Sequence, residues 1–127
     1  MDVSNKELIA KAKSVIKSRR IKHGYLVGDV GCALLSDEGN IYLGVCMDVS
    51  CGIGFCAEHS AIAAMVTNGE EKIKKIVAVV EGGKIIPPCG RCREIINQIH
   101  KQNKNTEVMI GKNKVVKLEE LLPHPWS

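Results

Sequence analysis

The sequence predicts an α/β protein: an α-β-α sandwich in which a mixed five-stranded sheet carries helices on both faces. Three observations support this. Helix and strand signals succeed one another as α-β-β-α-β-α-β-β-α along residues 1–127, a length suited to a single domain with its own core. The run at 73–80 is apolar and β-branched, the composition of a central strand covered on both faces. A capped amphipathic segment stands ahead of the first strand and supplies one of the covering layers.

In order, Ser4 followed by Glu7 reads as a capping box, and Leu8, Ile9, Ala12, Val15 and Ile16 recur on one face, predicting a helix over 4–20. Residues 25–29, with two glycines, read as a loop. Residues 30–35 form an apolar run of strand length, and Asp37-Glu38-Gly39-Asn40 has hairpin chemistry leading to a second strand over 41–47. A glycine-bearing loop at 48–54 enters a helix that starts near Cys56 and ends near Asn68-Gly69. After the strand at 73–80, Glu81-Gly82-Gly83 turns the chain, and Pro87-Pro88 delivers it to a helix beginning near Cys89 with Ile95, Ile96 and Ile99 inward. Short strands at 106–111 and 114–117, joined by Gly111-Lys112-Asn113, precede a last helical turn at 118–122.

Composition removes several classes. No run of 18 apolar residues occurs and the first residues are polar, so neither a membrane span nor a signal peptide is expected, and the expected location is cytoplasmic. The net charge of +4 is carried by scattered lysines. Lys6, Lys11, Lys13, Lys17, Arg19, Arg20 and Lys22 crowd the first segment, but no aromatics interleave with them, so they read as a solvated helix face and not as a nucleic-acid surface. Six cysteines in a chain with no export signal favour metal binding over disulfides. Cys32, Cys46 and Cys51 read as small buried hydrophobes.

The chemistry concentrates in Cys56-Ala57-Glu58 and in Pro88-Cys89-Gly90-Arg91-Cys92-Arg93. Cysteines at i and i+3 of a helix share one face and can bind one metal ion, with Cys56 as third ligand if its segment lies alongside. Three protein ligands on tetrahedral zinc leave one position for water. Glu58 is too close to Cys56 to be an easy fourth ligand and is placed to handle that water's proton. A zinc staple closed by His59 or a spare cysteine would leave Glu58 without a role, and a redox Cys-x-x-Cys would leave all of Cys56-Ala57-Glu58 unexplained.

These two motifs, in this order, resemble the cytidine deaminase family in its small three-cysteine zinc form, and within it also the blasticidin S deaminases. The resemblance extends to Val30-Gly31-Cys32-Ala33-Leu34-Leu35 and to Glu119-Glu120-Leu121-Leu122-Pro123, nearly the whole chain. It implies a cytidine-deaminase-like α-β-α sandwich holding one Zn²⁺ per chain on Cys56, Cys89 and Cys92. It also implies hydrolytic deamination of a 4-aminopyrimidine nucleoside (cytidine or deoxycytidine), with Glu58 as catalytic proton carrier; blasticidin S is the alternative substrate. A nucleic-acid substrate does not suit so small a chain with no basic, aromatic-lined channel. By resemblance, Ala57 and the Pro87-Pro88 turn read the base edge, and Arg93 offsets the thiolate charge, assisted by Arg91 or a protonated His59, which stands where the family usually has Arg. Cys46 and Asp48 align with the Asn-x-Glu pair that holds the ribose. The resemblance further implies a homotetramer, with Trp126 at a tail position that reaches a neighbouring subunit's pocket. Tyr25, Tyr42, Phe55 and Trp126 are the available stacking partners, with core packing the expected role of Tyr42.

Overall fold

The computed structural model describes residues 3–127. Ser4 Oγ accepts from the Glu7 backbone N–H at 3.1 Å, so helix α1 (Asn5–Ser14) begins where the capping pair puts it. It ends six residues short of the expected 4–20. Val15 and Ile16 keep the apolar spacing, and Ile16 stays packed on the core, but the backbone leaves the helix because the Lys17 N–H bonds the Gly28 carbonyl at 2.9 Å. That contact turns residues 19–20 into an edge strand, β1 (Arg19–Arg20), paired antiparallel with the start of β2 (Leu26–Ser36). Residues 26–29, expected as loop, therefore belong to a strand, which carries a bulge between Val27 and Gly31.

The hairpin to β3 (Ile41–Asp48) closes through Ser36 N–H to the Asn40 carbonyl, 2.8 Å. Then follow α2 (Ala57–Thr67), β4 (Ile73–Val80), the two-residue β5 (Ile85–Ile86), α3 (Gly90–Ile99), β6 (Glu107–Gly111), β7 (Lys114–Lys117) and α4 (Leu118–Leu121). The five long strands run β3-β2-β4-β6-β7. Only β4 and β6 are parallel, so the sheet is mixed as expected; β1 and β5 are added short strands on β2 and β4. Among the described residues, no helix is long and apolar enough to cross a membrane.

Alternation along β2 and β4 splits the core in two. Ala33, Leu35, Val77 and Val79 join Leu8 and Ala12 under α1, whereas Cys32, Leu34 and Ile76 join Ala61, Ile62, Met65 and Ile96 under α2 and α3. Tyr42 packs against the second layer and also donates its hydroxyl proton to Glu70, a bond that pushes the phenol up to about 12. Cys32 and Cys46 are buried as expected, but Cys51 is exposed in the loop after β3.

Both layers depend on close backbone approach. A Cβ on Gly31 would stand 2.2 Å from the Ala12 carbonyl oxygen. A Cβ on Gly44 would stand 2.4 Å from the Ala61 nitrogen and 2.8 Å from the Ala57 oxygen. Both obstacles at Gly44 are backbone of α2, which cannot rotate away as a side chain would. Gly44→Ala should therefore push α2 outward and cost about 1–3 kcal/mol or more, the usual range for overpacking. Urea unfolding checks it: a midpoint equal to that of the parent protein would contradict this seating.

Candidate active site

Two helix starts face each other across the C-terminal end of β4. Cys56 is the N-cap of α2, Cys89 is the N-cap of α3, and Cys92 lies in the first turn of α3. Both sulfurs turn towards the same point, close to that of Cys92. Cys56 Sγ is 3.4 Å from Cys89 Sγ, which is 3.5 Å from Cys92 Sγ. Tetrahedral zinc with bonds of about 2.3 Å spaces its sulfurs by about 3.8 Å, a few tenths wider than observed. Soft sulfur donors at this spacing fit zinc, and the cluster can hold one ion.

Burial and the charge of Glu58 push the Cys92 thiol well up, and burial raises Cys56 also. For Cys89, burial acts upward but is outweighed by the backbone N–H of Cys92 and by hydrogen bonds with Cys56 and Cys92, so this thiol is lowered. Cys89 therefore ionises more easily than an ordinary thiol and the other two less easily, a difference that a bound cation would offset. His59 Nδ1 lies 3.4 Å from Cys92 Sγ. Burial, with help from the Arg91 charge, lowers its pKa, which acts against the protonated ring, and in its Nδ1–H tautomer the neutral ring can donate to the sulfur. Arg93, expected to offset the thiolates, directs Nε to the Pro88 carbonyl at 2.8 Å and Nη1 to that of Leu121 at 3.1 Å. It ties α3 to the turn before it and to α4, and the direct contact with sulfur comes from His59.

Cys56 and Cys89 open onto a cavity of about 430 Å³, with Cys92 buried behind them. Glu58 lines it while remaining only 4% exposed. Burial raises its pKa, and hydrogen bonding from its own backbone N–H and from Cys92 acts the other way. Ala57, Cys46 and Asp48 also lie on the wall. Pro88 does not. It is buried beneath, and Ile86 and Pro87 form that side, because alternation past β5 turns Pro88 inward. Trp126 is 84% exposed, its backbone N–H 3.2 Å from Glu94 Oε2, and it takes no part in this chain's cavity.

Asp29 is a residue that the sequence reading left in a loop. The β2 bulge aims it at Cys46, whose thiol donates to Asp29 Oδ1 at 2.8 Å and is pushed up to about 11 by burial and that bond. Asp48 completes a group whose ligand atoms lie within 4.8 Å of one another. The break in apolar alternation at Gly28-Asp29 was the available signal. Arg91 and Phe55 also border the cavity. Arg91 Nη1 donates to the Gly54 carbonyl at 3.1 Å, and Phe55 exchanges backbone hydrogen bonds of 3.1 and 3.0 Å with Met47, so the loop before Cys56 is held at both sides.

Residues 3–112 match the cytidine and deoxycytidylate deaminase zinc-binding region. A cytidine deaminase of Sporosarcina psychrophila is 32% identical over 97 residues, 76% of this chain and 68% of that protein. A blasticidin-S deaminase of Bacillus cereus is 33% identical over 107 residues, 77% of this chain and 76% of that protein. The match to a cytidine deaminase of Mycobacterium tuberculosis, 34% identical over 68 residues, spans about half of each chain, 53% of this one and 51% of that one. The crystal structure of a cytidine deaminase from M. tuberculosis superposes with a TM-score of 0.83 at 24% identity, over 99% of both chains, which shows a common fold.

One zinc per chain is the expected content of protein purified without chelator, and Cys92→Ser should lower it by at least about tenfold, as loss of a ligand does more than loss of a supporting partner. Elemental analysis decides this, and full retention of zinc in the variant would dismiss the cluster as its site.

Proposed function

We propose that this chain, which belongs to the cytidine and deoxycytidylate deaminase family, catalyses hydrolytic deamination of a 4-aminopyrimidine nucleoside, cytidine or deoxycytidine. The carrying observation is the buried Glu58 on a cavity wall beside three convergent cysteine sulfurs. Zinc held by Cys56, Cys89 and Cys92 would supply Lewis acidity, lowering the pKa of water from 15.7 towards ~7. The work of the chain's own residues is positional and protonic. Glu58 takes one proton of the attacking water and delivers it to the ring nitrogen beside the reacting carbon. It then takes the second proton from the hydroxyl now on that carbon and passes it to the amino group, so that the C–N bond breaks, ammonia leaves and a 4-oxo pyrimidine remains. One carboxylate can serve all these transfers because the three atoms lie along one ring edge. The Ala57 backbone and the Ile86–Pro87 wall position the base, with Phe55 the aromatic side chain at hand for stacking.

A second reading, blasticidin S as substrate, is favoured by the far end of the cavity. Asp29 and Asp48 offer only acceptors when ionised, and the Cys46 thiol is engaged with Asp29, so this end suits a substituent rich in N–H donors. The similarity to the Bacillus cereus protein accords with it. Assembly as a homotetramer, with Trp126 entering a neighbouring copy's cavity, belongs to the same proposal. Light scattering that returned the mass of one chain, 13.8 kDa, would refute it.

Glu58→Gln should keep zinc and fold and lose at least ~10²–10⁴-fold in kcat, the range for a single acid–base role. Because burial raises Glu58 and the base form must be ionised, kcat/KM should fall as pH drops through a value above the ordinary glutamate pKa of about 4.3. A variant with near-parental turnover would remove Glu58 from the mechanism. Ammonia release from cytidine, deoxycytidine, free cytosine and blasticidin S, measured side by side, separates the two substrate readings. Turnover of blasticidin S alone would overturn the first.

A further inference from the structure

A second cavity, also about 430 Å³, lies on the opposite face of the sheet, between α1 and the β6–β7 hairpin. Ile9, Ile85 and Met109 give it an apolar lining. Lys6 and Lys13 border it from α1, on the same helix face as Ile9, and Lys112 and Lys114 border it from the hairpin. Among the described residues, no carboxylate lines the cavity and no ion pair to any of these four lysines is found. Four like charges around one concavity repel each other and raise the local concentration of anions. Ammonium groups on two sides and an apolar lining between them suit a ligand with one flat apolar part and several negative charges.

From this charge and shape we propose that the groove binds a nucleoside triphosphate, with the base on Ile9, Ile85 and Met109 and the phosphates between the lysines. The occupant acts on the candidate active site through β5. Ile85 and Ile86 are consecutive in an extended strand, so their side chains leave opposite faces. Ile85 meets this groove and Ile86 the cavity beside Glu58. Pro87, Pro88 and Cys89 follow directly, so a base seated on Ile85 bears on the strand that leads into the cysteine cluster. This effector role rests on the proposed deaminase, whereas binding does not.

ATP, a purine and hence not the proposed substrate, is the probe. Calorimetric titration should show binding that weakens as salt is added, and Lys13→Ala/Lys114→Ala should weaken it by about tenfold or more while leaving cytidine turnover without ATP unchanged. ATP should also slow amide hydrogen exchange over residues 83–89 in the parent protein and not in the double variant, a readout that requires no catalysis. Failure of ATP to bind, or equal binding by the double variant, overturns the site. Sodium triphosphate binding as tightly as ATP overturns the role given to the base. If ATP does not bind and the double variant changes the assembly mass, the groove is a contact between copies and the proposal fails.

Discussion

The seating of helix α2 on β3 at Gly44 is the constraint on which the site depends. With hydrogen in place of a side chain, the backbone of α2 rests on the strand, and the Ala61 nitrogen and Ala57 carbonyl oxygen stand only 2.4 and 2.8 Å from where a Cβ would be. Cys56 caps that helix, so its sulfur position follows from the seat. The same contact buries Ala57, Glu58 and Ala61 in one turn of helix. A helix displaced by a methyl group would carry Cys56 away from Cys89 and expose Glu58 together. Metal geometry and carboxylate burial are thus two consequences of one backbone contact.

The second helix start is fixed from other directions. β4 and β5 bring the chain back to Pro87-Pro88, and the buried Pro88 carbonyl accepts from Arg93 Nε. Arg93 also bonds the Leu121 carbonyl, so the C-terminal turn helps to hold α3. Asn103 works at the rear of the same helix: its Nδ2 donates to the Ile96 and Glu71 carbonyls, and its Oδ1 accepts from the Ile73 N–H at 2.8 Å. A fully buried amide that satisfies three backbone groups is costly to misplace, which makes the position of α3 relative to β4 well defined. Cys89 and Cys92 inherit that definition.

Local chemistry explains what could be read from the chain and what could not. β4 was legible over 73–80 because Ile76 to Val80 is an unbroken apolar run, as expected of a strand covered on both faces, and Ile73 extends it past the two lysines. The cysteines and Glu58 were legible because a metal site demands particular side chains at particular spacings. The end of α1 was not. Ile16 remains against the core after the helix stops, so the hydrophobic period continues through a change of backbone that the Lys17–Gly28 contact reveals. Asp29 was hidden for a similar reason: a bulge alters which residues of β2 face β3, and Gly28-Asp29 reads locally as a turn. The Pro87-Pro88 turn was assigned by resemblance to the base edge; Pro87 lines the cavity, and Pro88 turns inward, as alternation in an extended segment requires. Arg93 was assigned to the thiolates by resemblance, and the structure shows its guanidinium on the Pro88 and Leu121 carbonyls.

Charge at the centre follows from these positions. Burial that keeps Glu58 a stronger base also places its negative charge beside Cys92, whose thiol it pushes up. Left to themselves, the carboxylate and the sulfurs compete over which of them will carry charge. His59 eases this without adding a cation, since a neutral ring can donate to Cys92 while Arg91, close enough to lower that ring, supplies positive charge at the rim. The donor set suits a divalent cation, which would make three thiolates and an ionised Glu58 compatible in one small volume. Proton release by the thiols and the ionised state of Glu58 would then be linked through that charge.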